Sequence, residues 1–399
     1  MPGRAAQLAL LSAACVAAYA PRSRTLPRSP RRAPRAALSM EVDEHHDAIR
    51  WLPPINPSRP DREQSRPDSM VLPLFPLGNV ARGPGVSTFP KTRARPRETA
   101  RRRYTPGSTQ VLNIFEPRYR KMYSDILMSG SRRFVTTMVN PDGEGELAEV
   151  GVVLYLEDLK EVSQQTNDAV KYVCSHKVLD TRVAIHAILN PGDSATRETY
   201  MKCEVSELTD DDEPAEDAEK APAAGEADVM AALFEVAAMQ EDGKEDVRFS
   251  RDAVQKLDAG RGVGSGSLWG VVELWKSFLD ARAQAAGRKV QQDVQNRLIK
   301  YLTDKSGGEA KAGELPQSVN LSELPPDLQR DVKNLRERVM DDVAPLVDEQ
   351  TRGIQTLLQA ESHADRLDLF LDMVNKEKSR LTARKTLKAT LASLEDKFK

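Results

Sequence analysis

Two short segments decide the fold of this chain: MVLPLFPL at residues 70–77 and IFEPRYRKMYSDIL at residues 114–127. In the first segment Val71, Phe75 and Leu77 fall on one face of an extended chain, because side chains alternate along a β-strand. In the second segment apolar residues recur three and four positions apart, which is the spacing of an amphipathic helix. A strand and a helix in this order predict a mixed α+β fold.

The ends of the predicted helix are marked by residues with special backbone preferences. Pro117 suits the first turn, where its missing N–H would have no partner, and Glu116 complements the positive end of the helix dipole. Gly130 can end the helix in a left-handed conformation. The side chains expected to face the strands are Tyr119, Met122, Tyr123, Ile126 and Leu127.

Alternation of apolar and polar residues predicts further strands. In TQVLNIF, residues 109–115, Val111 and Phe115 share a face, and Phe115 is expected to lie in the core together with Tyr119. Short strands separated by proline and glycine turns favour a small closed or half-closed β-barrel. The other predicted strands are residues 133–140, 150–156, 172–189 and 199–208.

These segments also carry a family resemblance. The run from LPLFPL through YTPGSTQ to IFEPRYR is similar to the opening of the N-terminal substrate-binding domain of Lon proteases, and the similarity continues to YMKCEVSELTD at residues 200–210. The resemblance implies that residues 70–209 form a PUA-like β-barrel with one internal helix, followed by an α-helical bundle or long-helix region. It also implies a surface that recognises unfolded or tagged client polypeptides.

A basic insert at residues 82–103, RGPGVSTFPKTRARPRETARRR, interrupts this resemblance. One interpretation is an arm that binds nucleic acid. The other is a disordered loop, or a retained intron in the gene model. The second interpretation is favoured, because Phe89 is the only aromatic residue available for stacking on bases and the segment has no periodicity.

Residues 1–40 contain neither Asp nor Glu and combine an apolar stretch with a region rich in Arg, Ser and Pro. This composition is typical of a signal peptide followed by a transit peptide, so import into a plastid is expected, with the mitochondrion as the alternative. A disordered basic tail is the other interpretation of the segment. Residues 41–69 are expected to form a disordered tail. Cys174 and Cys203, the cysteines outside the leader, are too few for a disulfide framework and favour a reducing compartment.

An acidic linker is predicted at residues 210–228, and within it Asp210–Asp212 are expected to be a solvated charge run. Residues 229–399 are predicted to be helical. Near the end of the chain, leucines such as Leu387 and Leu391 fall out of heptad register, so any coiled coil is short. Packing within the chain is one interpretation of this last helix. A partner-binding helix or a homo-oligomer formed through it is the other.

No catalytic or cofactor-binding residue is predicted. An ATP-driven protease needs a GxxxxGK[ST] loop, which the chain lacks, and it also lacks the Ser and Lys context of the Lon peptidase. AGRGVGSGS, residues 259–267, has glycines but no lysine and is expected to be a flexible hinge.

No metal site is predicted either. Cys174, His176 and Cys203 lie on neighbouring predicted strands, but buried small cysteines are the commoner case and no second ligand pair is present. His45 and His46 precede the domain and His363 lies near a helix start; each is expected at the surface.

The resulting functional hypothesis is a non-catalytic module that binds client polypeptides, with a protease or chaperone acting in trans. Its peptide-binding residues are not identified by the sequence. An RNA-binding barrel is the first alternative, and nucleic acid is not expected as a partner because acidic residues outnumber basic ones between Tyr104 and Thr209. A structural or assembly role through the last helix is the second. No membrane association is expected, since no apolar run after the first twenty residues is long enough to cross a bilayer.

Overall fold

The computed structural model describes residues 49–77, 104–143, 145–212, 225–305 and 325–397. They form a mixed α+β fold with one six-stranded mixed sheet and several helices. The chain divides into two compact units. The larger unit contains the sheet and the helices packed on it, and the described part of the smaller unit lies within Arg282–Val347.

The six strands, β1 to β6, coincide with the six predicted ones. Strand β4 continues to Glu161, beyond the predicted end at Leu156. The apolar alternation stops at Leu156 because the register with β5 shifts between Leu156 and Asp158 and the last residues of β4 are mostly exposed and polar. The strand bounds are Met70–Leu77, Thr109–Ile114, Arg133–Met138, Val150–Glu161, Tyr172–Ile188 and Met201–Leu208.

The strands follow the order β2-β5-β4-β3-β1-β6, and β5 also pairs with β6. Strand β1 runs parallel to β3, with Leu74 opposite Val135, whereas the other pairs are antiparallel. The pairings therefore form a circuit from β1 through β3, β4, β5 and β6 back to β1. Strand β2 lies outside this circuit.

The interior of the sheet is an aliphatic core. Each fully buried side chain of this kind contributes roughly 1.5–3 kcal/mol by removal from water. The buried members of this aliphatic core are Leu74, Val135, Leu147, Val153, Val183, Ile185, Met201, Cys203 and Val205.

Helix α1, Pro117–Met128, begins with the predicted proline, and Gly130 follows its end at φ +72°. Four of the five side chains expected to face the strands are buried. The prediction is wrong for Leu127, which is 39% exposed. Neighbouring helix positions are about 100° apart, so Ile126 occupies the buried face and Leu127 points away from it.

The other helices follow the sheet residues or connect its last strands. An aromatic cluster of Phe249, Trp275, Phe278 and Phe370 joins three segments of the larger unit. No helix in the described ranges combines the length and apolar composition needed to cross a membrane. The helices are α2 (Asp193–Thr196), α3 (Glu226–Asp242), α4 (Arg251–Gln255), α5 (Leu268–Lys305), α6 (Pro326–Asp348), a π-helical turn (Glu349–Gly353), α7 (Ile354–Gln359) and α8 (His363–Lys397).

Residues 49–69, expected to belong to a disordered tail, lie against the sheet. Leu52 N donates to the carbonyl of Leu147 at 2.7 Å. The carboxylate of Glu204 on β6 accepts hydrogen bonds from the backbone N–H and hydroxyl of Ser65, the N–H of Arg66 and the hydroxyl of Ser69. These hydrogen bonds, led by that of Ser69, lower the pKa of Glu204 to about 2. Apolar contacts hold the segment as well, since Ile49 is buried and Leu52 and Ile55 pack against the aliphatic core, but these residues follow no regular period.

Asp210 and Asp212 were expected to be solvated, and this interpretation is wrong for both. Asp210 pairs with the buried guanidinium groups of Arg182 and Arg366. Asp212 pairs with Arg261 at 2.8 Å and also accepts from the first N–H groups of α8. The charge run therefore ties β5 and β6 to α8. A run of like charges stays in solvent only when the fold places no opposite charge beside it.

His363 is also buried, contrary to its expected surface position. It is 2% exposed, and its Nε2 lies 3.3 Å from Glu226 at the start of α3. Two hydrogen bonds connect residues within and next to the glycine-rich segment 259–267. Leu268 N donates to Gly260 O, and Ser267 Oγ donates to Gly264 O. The expected leader at 1–40, His45 and His46, the insert at 82–103 and linker residues 213–224 lie outside the described residues.

Candidate polypeptide-binding surface

Strand β2 is an edge strand, since among the described strands it pairs with β5 alone. Its burial alternates strictly, with Gln110, Leu112 and Ile114 facing inward. The residues between them face solvent. An edge strand of this kind offers backbone groups along one side and a row of exposed side chains on one face.

Two large apolar side chains stand on the solvent face. Val111 is 56% exposed and Phe115 is 51% exposed. The expectation that Phe115 lies in the core is therefore wrong, while Tyr119 is buried as predicted. Alternation identifies residues that share a face but not which face is inward, and Phe115 continues the outward series of β2.

The backbone at Phe115 is held in place by Arg120 of α1. Arg120 Nε donates to the Phe115 carbonyl at 3.0 Å, and its other nitrogens bind the side chain and the carbonyl of Asp168 at 2.7–3.0 Å. Asp168 lies in the β4–β5 turn with φ +59°. Lys171 N also donates to the Ile114 carbonyl at 2.9 Å. These hydrogen bonds hold in place the backbone that carries the exposed Phe115 ring.

The neighbouring strand completes the surface. In register, Val111 faces Ser175 and Asn113 faces Val173 on β5. Directly paired residues in an antiparallel sheet point to the same side. We call these four residues and Phe115 the β2 surface. Its five residues carry no charge and three of them are apolar, and it lies along a sheet edge with which no other described strand pairs.

A buried hydrogen-bonded pair supports the β2 surface from beneath. His176 Nε2 lies 2.7 Å from the Tyr123 hydroxyl, and its Nδ1 lies 3.1 Å from the Gln110 carbonyl. Because a carbonyl only accepts, Nδ1 carries the proton and Nε2 accepts from Tyr123. Burial lowers the pKa of His176 to about 4, so the ring is neutral. The pair links β2, β5 and α1, and the sequence offered only its inward position beside Cys174 as a signal.

The structure does not bring Cys174, His176 and Cys203 together. Cys174 lies opposite Leu112, whereas Cys203 pairs with Ile188 at the other end of β5. Both cysteines are fully buried, as the commoner interpretation predicts. Burial raises the pKa of Cys174 to about 12 and that of Cys203 well above its usual range, so both are thiols at neutral pH. Among the described residues no three His, Cys, Asp or Glu side chains are grouped to hold a metal.

A separate candidate site is a concave cleft of about 500 Å³. Its wall contains Lys121 and Asp125 of α1 together with Tyr200, whose hydroxyl donates to Asp125 at 2.9 Å. Burial raises the pKa of Tyr200 to about 12, and the hydrogen bond to Asp125 adds to the shift. Charges of both signs line the cleft.

No model of a known protein family matches this chain, and no curated protein is significantly similar to it.

Proposed function

We propose that this chain is a non-catalytic polypeptide-binding protein of the Lon N-terminal type, and that its sheet is a PUA-like barrel. Three features support the class. The strand pairings form a circuit, one helix interrupts the strands between β2 and β3, and the two signature segments are β1 and α1 with the residues before it. In this proposal the helices that follow are the second subdomain.

The observation that carries the proposal is the braced edge strand β2 with Val111 and Phe115 exposed on its outward face. An extended client segment adds through backbone hydrogen bonds to the side of β2 that faces away from β5, and its alternate side chains contact Val111 and Phe115. Backbone recognition is largely independent of client sequence. This property suits a module that meets many unfolded proteins.

The expected affinity is modest. Two apolar contacts contribute at most about 3 kcal/mol each, and ordering an unfolded client costs roughly 2–5 kcal/mol. The apolar contacts less this cost leave at most about 4 kcal/mol, which corresponds to a dissociation constant near 1 mM. Each edge hydrogen bond adds about 1 kcal/mol, so the expected dissociation constants lie between about 1 mM and tens of μM. Weak binding lets a client be released to the next protein.

Binding of fluorescein-labelled casein to the full chain, followed by anisotropy, tests the proposal. The double variant Val111→Asp with Phe115→Asp is expected to bind at least tenfold more weakly, because it places two charges on the β2 surface. Met128→Asp is the matched control, since Met128 is an apolar residue 88% exposed at the end of α1. Absence of binding by the wild type, or equal weakening by the control, would sink the proposal.

We further propose that the client is passed to a protease or chaperone in the organelle that imports the chain, which makes the protein an adaptor. Affinity capture from plastid extract is expected to recover such a protein together with unfolded clients. A mobility shift with structured RNA at low salt, in the absence of casein binding, would instead favour the RNA-binding alternative.

A further inference from the structure

The backbone groups of strand β2 point alternately towards β5 and away from it. At the start of the strand Val178 of β5 directs both its backbone groups to β2, since its N–H donates to Ser108 O at 2.8 Å and its carbonyl accepts from Gly107 N at 2.9 Å. The orientation repeats every second residue, so both backbone groups of His176 also face β2. His176 lies opposite Gln110. The N–H and carbonyl of Gln110 therefore face β5.

The carbonyl of Val111 already accepts a hydrogen bond from a neighbouring side chain. Val111 follows Gln110, so its N–H and its carbonyl face away from β5. Gln110 Nε2 donates to this carbonyl at 2.8 Å, and the Gln110 side chain is buried. A client strand that adds beside β2 consequently meets a Val111 N–H that can donate to it and a Val111 carbonyl whose hydrogen bond is already made.

Thr109 has the same orientation as Val111 but lacks this hydrogen bond. It precedes Val111 by two residues, so its carbonyl also faces away from β5. Among the described residues no side chain donates to the Thr109 carbonyl. A client strand must supply an N–H to this carbonyl in place of water, whereas the Val111 carbonyl needs none.

Proline is the residue type that suits a position opposite Val111. It has no N–H, and in sheets it is confined to positions where no hydrogen bond of the ladder is lost. Its carbonyl can still accept from the Val111 N–H, and its ring can contact the exposed Val111 side chain. Proline also fixes its own φ and keeps the preceding residue extended, so a client that contains it loses less conformational entropy on binding.

We infer that the client position opposite Val111 prefers proline, and that the client residue four positions before this proline is a large apolar residue that contacts Phe115. The order follows from antiparallel pairing, which is the more stable arrangement and places residues directly opposite each other. Val111 and Phe115 are four residues apart, so the two client side chains fall on the same face. The inference rests on the proposed function and names the class of client segment.

Competition between fluorescein-labelled casein and unlabelled undecapeptides for the full chain tests this preference. The host peptide consists of serine and threonine, with leucine at its third position to contact Phe115. Its seventh and ninth positions then lie opposite Val111 and Thr109. Each of these two positions is in turn alanine, N-methylalanine or proline. N-methylalanine removes the N–H without adding the proline ring, and it is therefore the matched control for proline.

At the seventh position N-methylalanine is expected to compete as well as alanine, within about twofold, and proline at least as well. At the ninth position N-methylalanine should compete about fivefold more weakly or worse, because the Thr109 carbonyl then lacks a partner. Equal effects at the two positions, or no displacement of bound casein by any of the peptides, would overturn the inference and leave the proposed function in place. Casein that does not bind at all would remove the proposed function and this inference with it.

The variant Gln110→Met tests whether the Gln110 side chain is the cause. Methionine is similar in size and keeps the backbone carbonyl that binds His176, but it cannot donate to Val111. The affinities for alanine and N-methylalanine at the seventh position are compared within each protein, so a change in overall affinity cancels. Their ratio is expected near one in the wild type and about five or more in the variant. An unchanged ratio in a variant that folds, as checked by circular dichroism, would contradict the role of Gln110. The wild-type peptide comparison does not depend on this variant.

Discussion

At the scale of single residues, the neutral His176 joins strand β2 to helix α1. Its two ring nitrogens are both used, one donating to Gln110 O and the other accepting from Tyr123. A charged imidazolium would lose the second of these bonds and would be buried without a counter-ion. Protonation of His176 is therefore expected to weaken the part of the sheet that carries the β2 surface.

Acidification is predicted to destabilise the fold through His176. The folded pKa of about 4 lies below the ordinary value of 6.5, so the unfolded chain takes up the proton more readily. The stability that neutral His176 contributes is fully present above about pH 6.5 and is lost as the pH falls towards 4. The total loss from this residue is roughly 3 kcal/mol. Urea unfolding at pH 7.5 and pH 5 is expected to show a loss of about 2 kcal/mol from this residue.

The variant His176→Gln isolates this contribution, because it has no ionisable group at that position. Its free energy of unfolding should be lower than that of the wild type at pH 7.5 and should change less between the two pH values. An equal pH dependence in both proteins would show that His176 does not carry the effect.

At the scale of elements, Arg120 connects the corner at Phe115 to the β4–β5 turn. The variant Arg120→Ala is predicted to weaken casein binding severalfold while leaving Val111 and Phe115 in place, because the edge strand loses its brace at Asp168. The cost in global stability should be small, about 1 kcal/mol or less, since an ion pair with an exposed partner contributes little. Binding and thermal unfolding measured on the same preparation separate the two effects. Asp168→Ala should reproduce the binding defect, and unchanged affinity in both variants would count against the brace.

The elements themselves were predictable from the sequence, whereas the direction of their faces was not. All six strands and α1 follow from periodicity, because a half-buried element must repeat its apolar residues with its own period. Periodicity does not show which face of a strand is inward when both faces carry apolar residues. Val111 and Phe115 share a face as predicted, yet that face is the outer one. The β2 surface was therefore missed.

At the scale of the whole larger unit, buried ion pairs connect the sheet to the C-terminal helix. Arg182 of β5 and Arg366 of α8 both bind Asp210, and Arg182 also donates to the carbonyls of Leu358 and Ala360 at 2.8 Å. These contacts join residues distant in sequence. No local pattern signals such contacts, which is why Asp210 was expected to be solvated.

The variant Asp210→Asn is predicted to lower the free energy of unfolding by about 3–5 kcal/mol, because it removes the carboxylate charge that two buried guanidinium groups bind. Chemical unfolding at neutral pH measures the change. Asp211→Asn is the matched control, since its side chain is exposed, and it should cost less than about 0.5 kcal/mol. Equal effects of the two substitutions would mean that the ion pairs do not hold sheet and helix together.

Hydrogen–deuterium exchange of the full chain with and without saturating casein tests the central claim most directly. Backbone amides on the side of β2 that faces away from β5 are predicted to exchange more slowly in the complex, because a client strand accepts their hydrogen bonds. Peptides from α8 should be unchanged. Slower exchange confined to the cleft around Tyr200, with none in residues 109–115, would contradict the account.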